Sequence, residues 1–200
     1  MDKKVNNVQE LMKNLKDMGY EVSYFDTAKE AAEYLDGKID GKTVASGGSV
    51  TVQQLGLEEM LKTHNEFIWH WKSDPLEIAA NADVYLSSAN AITKAGEIVN
   101  IDGTGNRVAS TIFGHKELYF IIGINKICED LESAIWRARN IAAPINAKRL
   151  KRNTPCAERA DKCYNCDSPE RICRVLSVHW KKPRGTPYQE VVIVGEELGF

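Results

Sequence analysis

Short apolar runs alternate with stretches of helical periodicity along this chain, and that order restricts it to an open α/β sheet. Val5, Val8, Leu11, Met12, Leu15 and Met18 recur at helical spacing and stop at Gly19, which predicts an amphipathic first helix. A short strand over residues 22–25 follows, then Thr27 with Glu30 as a capping box for a helix ending near Gly37. Residues 42–45 predict a buried strand that runs into Ser46-Gly47-Gly48-Ser49, with Thr51 and Gln54 as the cap of the next helix. The order then repeats: a strand over 67–71, Asp74-Pro75 as N-cap and first helical residue, a helix to Ala80, and a strand over 83–86. Residues 91–101 carry a strand pattern broken at Gly96, a hairpin signal. Residues 118–124 form the most apolar run and predict a central strand buried on both faces. A helix from Lys126 to about Asn140 is expected next, and residues 175–178 and 191–194 close the sheet. The division expected is a core over 1–150, a cysteine segment over 151–174, and closing strands of the same domain over 175–200.

Three polar segments fall at the ends of strands. Ser46-Gly47-Gly48-Ser49 combines glycines that let the backbone approach an anion with hydroxyl donors and a helix start. The alternative is a tight βα turn with no ligand. The P-loop is excluded because its Gly-Lys-Ser/Thr ending is missing. The run from Ser87, with Ser88, Asn90 and Thr93, lies where the carboxyl ends of α/β strands line a ligand crevice. Gly103-Thr104-Gly105-Asn106-Arg107 adds donors and a guanidinium suited to a carboxylate or phosphate, set against a plain Asp102-Gly103 turn. Glu97 is the remaining carboxylate on this edge and fits a solvated hairpin residue. The histidines are dispersed, and Trp69 and Trp71 suit the core better than a cofactor.

These segments, with Ala82-Asp83-Val84, Gly96 to Val99, Gly123-Ile124-Asn125-Lys126, Asp130-Leu131-Glu132 and the closing run from Ala142 to Leu150, resemble successive blocks of the LUD (lactate-utilisation) domain family in its short single-domain form. The resemblance covers nearly the whole chain. It implies a modified Rossmann-like open sheet, similar to that of glucosamine-phosphate deaminases, ribose-phosphate isomerases and CoA transferases, whose glycine loops bind phosphate or CoA groups. It also implies a part in lactate or related 2-hydroxy-acid oxidation beside iron–sulfur or flavin partner proteins. Lys94-Ala95 stand where many relatives carry an acidic residue, so no acid role carries over. An independent enzyme on a phosphosugar or CoA ester is the other catalytic reading.

Of the five cysteines, four cluster as Cys156-x6-Cys163-x2-Cys166-x6-Cys173, and Cys128 stands alone as a small apolar residue. Four thiols around one Cys-x2-Cys pair predict a shared metal centre, set against a redox pair or free thiols. A single such pair and the family's link to electron transfer favour an iron–sulfur cluster ([4Fe-4S]) over zinc, which would make the segment a non-catalytic staple or docking module. Arg152, Arg159, Lys162, Arg171 and Arg174 suit the anionic charge of such thiolates. A formal net charge of −2 gives no general bias towards nucleic acid, and no apolar run reaches the roughly 20 residues that span a bilayer. The expected partner is an anionic small molecule, the expected compartment the cytoplasm, and a homo-oligomer is compatible with the sequence.

Overall fold

Gly19, at φ +91°, turns the chain out of helix α1 (Lys3–Asp17) and into strand β1 (Glu21–Phe25), the first step of a repeating helix–strand order. The computed structural model describes residues 3–69 and 76–200; the expected Asp74-Pro75 helix start, His70 and Trp71 lie outside them. Thr27 and Glu30 form the expected reciprocal capping box at the start of α2 (Ala28–Lys38). After β2 (Thr43–Ser46) the helix α3 (Val50–Gln54) is capped by Ser49, whose hydroxyl accepts from the Val52 amide. The cap therefore lies two residues before Thr51, because the strand ends directly in the glycine turn and leaves Ser49 as the last extended residue. Next come α4 (Leu57–Leu61), β3 (Glu66–Trp69), α5 (Leu76–Ala79), β4 (Val84–Ser87), β5 (Ala91–Thr93), β6 (Ile98–Asp102), α6 (Asn106–Ile112) and β7 (Glu117–Gly123).

Among the described residues, six parallel strands form the main sheet, in the order β1-β10-β7-β4-β2-β3, with β10 spanning Tyr188–Val194. As expected, β7 is internal, and its side chains alternate between two cores. Tyr119 and Ile121 pack with α2, α3 and α4 on one face; Leu118, Phe120 and Ile122 pack with α1 and α5 on the other. This is a mixed α/β protein of Rossmann-like type, with a mostly parallel central sheet flanked by helices. A second sheet, β8-β5-β6-β9, covers part of the α1 face, with β8 at Ile127–Cys128 and β9 at Val175–His179. The β5–β6 pair is the expected hairpin, turning at Gly96 with φ +101°.

The helix expected from Lys126 starts later. Ile124–Lys126 form a 3-10 turn and Ile127 and Cys128 pair with β5, so α7 begins at Leu131 behind the Asp130–Ser133 capping box. It also does not stop near Asn140. Pro144 has no amide hydrogen to give, and the backbone before it widens into a π turn, Ala138–Ala142, that carries the helix on as α8 (Ala143–Arg149). That extension brings Asn146 and Arg149 to the carboxyl edge of the main sheet. Among the described residues, no helix is long and apolar enough to cross a membrane.

Candidate functional site

At the carboxyl ends of β2, β4 and β7 lies a cleft of about 340 Å³. Gly48 and Ser49 line it from the turn after β2, Ser88 and Asn90 from the turn after β4, and Gly103, Thr104, Asn106 and Arg107 from the segment after β6. The remaining residues singled out in the sequence build these loops without lining the cleft. Ser46 is fully buried and its hydroxyl donates to the carbonyls of Gly47 and Leu86. Gly47 has no room for a side chain: a Cβ there would meet the Tyr85 hydroxyl at 2.3 Å and Arg107 Cγ at 3.4 Å. Gly105 takes φ +92° to open α6. Thr93 stands away from the cleft, paired with Glu97.

Asp102, absent from the sequence-derived candidates, organises the third loop. Its carboxylate accepts from the amides of Thr104 and Gly105 at 3.1 Å each and from that of Val108 at 3.1 Å. Arg107 is held by its own acceptors, donating to Asn100 Oδ1 and to the Ile101 carbonyl. Its guanidinium is thus fixed in place, with donors left over for a ligand.

Lys126 is the second residue that sequence reasoning missed. It follows β7 in the 3-10 turn, is only 3% exposed, and lines the cleft. Its ammonium donates to Thr51 Oγ1 at 2.8 Å and Ser88 Oγ at 3.0 Å, both neutral hydroxyls. Burial, reinforced by Arg137 and Arg107, pulls its pKa down from 10.5 to about 7. Arg137 lies behind it, donating to the carbonyls of Asn125, Asn90 and Phe200. Arg149 and Arg152 complete the basic lining, and Asp102 is the one acidic side chain among the described lining residues. A cleft with this balance favours an anion.

The sequence from residue 8 to residue 194 matches the family model described as the LUD domain. This chain belongs to the LUD domain family. A crystal structure of a DUF162 family protein from Deinococcus radiodurans is similar to it at TM-score 0.59 and 9% identity, covering 97% of this chain and 99% of that one. At that identity the likeness carries the fold alone. No curated protein matches this LUD chain significantly.

The cysteine segment packs beside the π turn. Asn140 Oδ1 accepts from the Cys163 amide at 3.1 Å, while Arg139 reaches Cys163 Sγ at 3.6 Å and Asn165 Oδ1 at 3.0 Å. Arg171 donates to the carbonyls of Cys166 and Cys173 and to Cys173 Sγ at 3.4 Å. Guanidinium donors at sulfur suit thiolates, the form that binds metals. Cys128, Cys156, Cys163, Cys166 and Cys173 are all free thiols. Among the described residues, however, no group of three or more His, Cys, Asp or Glu side chains is placed to hold a metal ion. The donor set fits a thiolate centre in its chemistry and sequence spacing, and no three of its side chains are grouped around one point in this arrangement.

Proposed function

We propose that this LUD protein binds a small organic anion of the 2-hydroxy-acid class in the cleft and serves lactate or related 2-hydroxy-acid utilisation, as an enzyme subunit or accessory protein. One observation carries the reading: Lys126, Arg107, Arg149 and Arg152 line the same cleft, with Asp102 the one acidic side chain among the described lining residues. The carboxylate of such an acid would pair with guanidinium groups, and the adjacent hydroxyl would lie near the donors of Ser49, Ser88 and Thr104. Oxidation of the acid to its 2-oxo form releases two electrons and two protons. The electrons would pass to iron–sulfur or flavin partner proteins, and Lys126, in its neutral amine form, would take a proton. Cys156, Cys163, Cys166 and Cys173 are the proposed ligands of an iron–sulfur cluster, with zinc as the alternative.

The test is lactate-dependent electron transfer reconstituted with the redox partner proteins. Omitting this chain should abolish or sharply slow reduction of the acceptor, and an unchanged rate would remove the proposal. The excess of basic over acidic lining residues also favours a second reading, an enzyme on a phosphosugar or a CoA ester, whose ligands carry more than one negative charge. Thermal stabilisation by phosphosugars or acyl-CoA and none by 2-hydroxy acids would favour that reading.

A further inference from the structure

Lys126 has a set of neighbours that an ordinary ion-pairing lysine lacks. Among the described residues no carboxylate is bonded to its amine; its partners are the hydroxyls of Thr51 and Ser88, from the turns after β2 and β4. The packing around it is close, and it is only 3% exposed. Gly199, at φ +63°, passes so near that a Cβ there would lie 2.5 Å from Thr51 Oγ1 and 3.0 Å from Lys126 Nζ. Two further cations, Arg107 and Arg137, are near enough to oppose its protonation. A lysine desolvated in this way beside other cations is a nucleophile, because the neutral amine keeps its lone pair. It also lines a cleft whose other basic residues can hold a carboxylate.

We propose that Lys126 forms an imine with a 2-oxo acid, the oxidised counterpart of the ligand proposed above, so the inference rests on that reading of the cleft. The lone pair of Nζ attacks the carbonyl carbon and an N–C bond forms, giving a carbinolamine. The carbonyl oxygen then leaves as water with the two amine hydrogens, and a C=N bond remains. No oxidant or reductant is consumed in this step. The Thr51 and Ser88 hydroxyls, each in contact with the amine, can pass the protons between nitrogen and oxygen. Lys126 would thus retain the 2-oxo acid in the cleft, or activate the carbon next to the carbonyl for proton removal.

The experiment treats the full chain with pyruvate or glyoxylate and cyanoborohydride, follows intact mass, and maps the product by peptide mass spectrometry. One irreversible addition is expected, on Lys126, ahead of the surface lysines and lost in Lys126→Arg, which keeps a cation but cannot condense. Lactate, which has no carbonyl, should bind reversibly by calorimetry and leave no adduct. Binding of lactate without any pyruvate adduct, or labelling of Lys126 no faster than of surface lysines, overturns the imine and leaves the anion cleft standing. If neither acid binds and no adduct forms, both readings fall.

Discussion

Lys126 shows what a single residue can hide in a sequence. Its neighbours Gly123, Ile124 and Asn125 marked it as part of a family block, but its burial depends on Thr51 and Ser88, 75 and 38 residues away. Nothing local to the chain announces that. The pKa shift has a consequence for stability. Between about 7 and 10.5 the unfolded chain carries the Lys126 proton and the folded protein does not, so folding is favoured as pH rises through that window. Below about 7 both states are protonated and the cost of the buried cation is constant, on the order of 4–5 kcal/mol at about 1.36 kcal/mol per unit. Lys126→Met should therefore be more stable than wild type at pH 7 in urea denaturation, with the gap narrowing towards pH 10. A gap that does not change with pH would show that the lysine keeps its ordinary affinity for protons. Gly47 was legible as a glycine that something requires. The reason lies in the fold, where the Tyr85 hydroxyl occupies the space of a side chain.

At the scale of elements, strands and glycine turns were legible because apolar runs and turn residues are local signals. The helix after β7 was not. Ile127 and Cys128 continue an apolar helical pattern with Leu131 and Ile135, yet their backbone pairs with β5, a partner set by tertiary structure. The loop after β6 reads as a ligand segment in the sequence, but its organiser Asp102 reads there only as a turn residue. Asp102→Ala should leave the amides of Thr104, Gly105 and Val108 without their acceptor, cost about 1–3 kcal/mol in urea denaturation, and weaken anion binding. Unchanged stability would mean the loop holds itself. The cysteine segment has the spacing of a metal site without its convergence. Anaerobic reconstitution with iron and sulfide should give a brown protein with broad absorbance near ~400 nm; one tightly held zinc per chain with no colour would support the structural alternative. A chain that takes up neither metal, and whose stability is indifferent to chelators, would contradict both.

At the scale of the molecule, the alternation of strands and helices was enough to give the class of fold, because consecutive strand and helix segments fold most readily as parallel units with helices on both faces. The second sheet was only half legible. Its hairpin, β5 and β6, was expected from Gly96, whereas β9 joins it from the far side of the cysteine segment, where β6 and β9 pair antiparallel. The strand order explains part of the convergence at one edge: β4 pairs with both β2 and β7, so the segments after these three strands open side by side, while the loop after β6 reaches the same edge from the second sheet. What the sequence could not convey is the arrival of α8, carried through Pro144 by the π turn to place Asn146 and Arg149 across the cleft. The proposed function requires this assembled cleft to be a site for organic anions. Isothermal titration of the wild-type chain and of the Arg149→Ala, Arg152→Ala double variant with lactate, a phosphosugar and an acyl-CoA tests it most directly. One site per chain is expected for a 2-hydroxy acid, weakened by salt and by about tenfold or more, roughly 1.4 kcal/mol, in the double variant; no binding of any of these anions, or binding that the double variant leaves unchanged, would rule the anion site out.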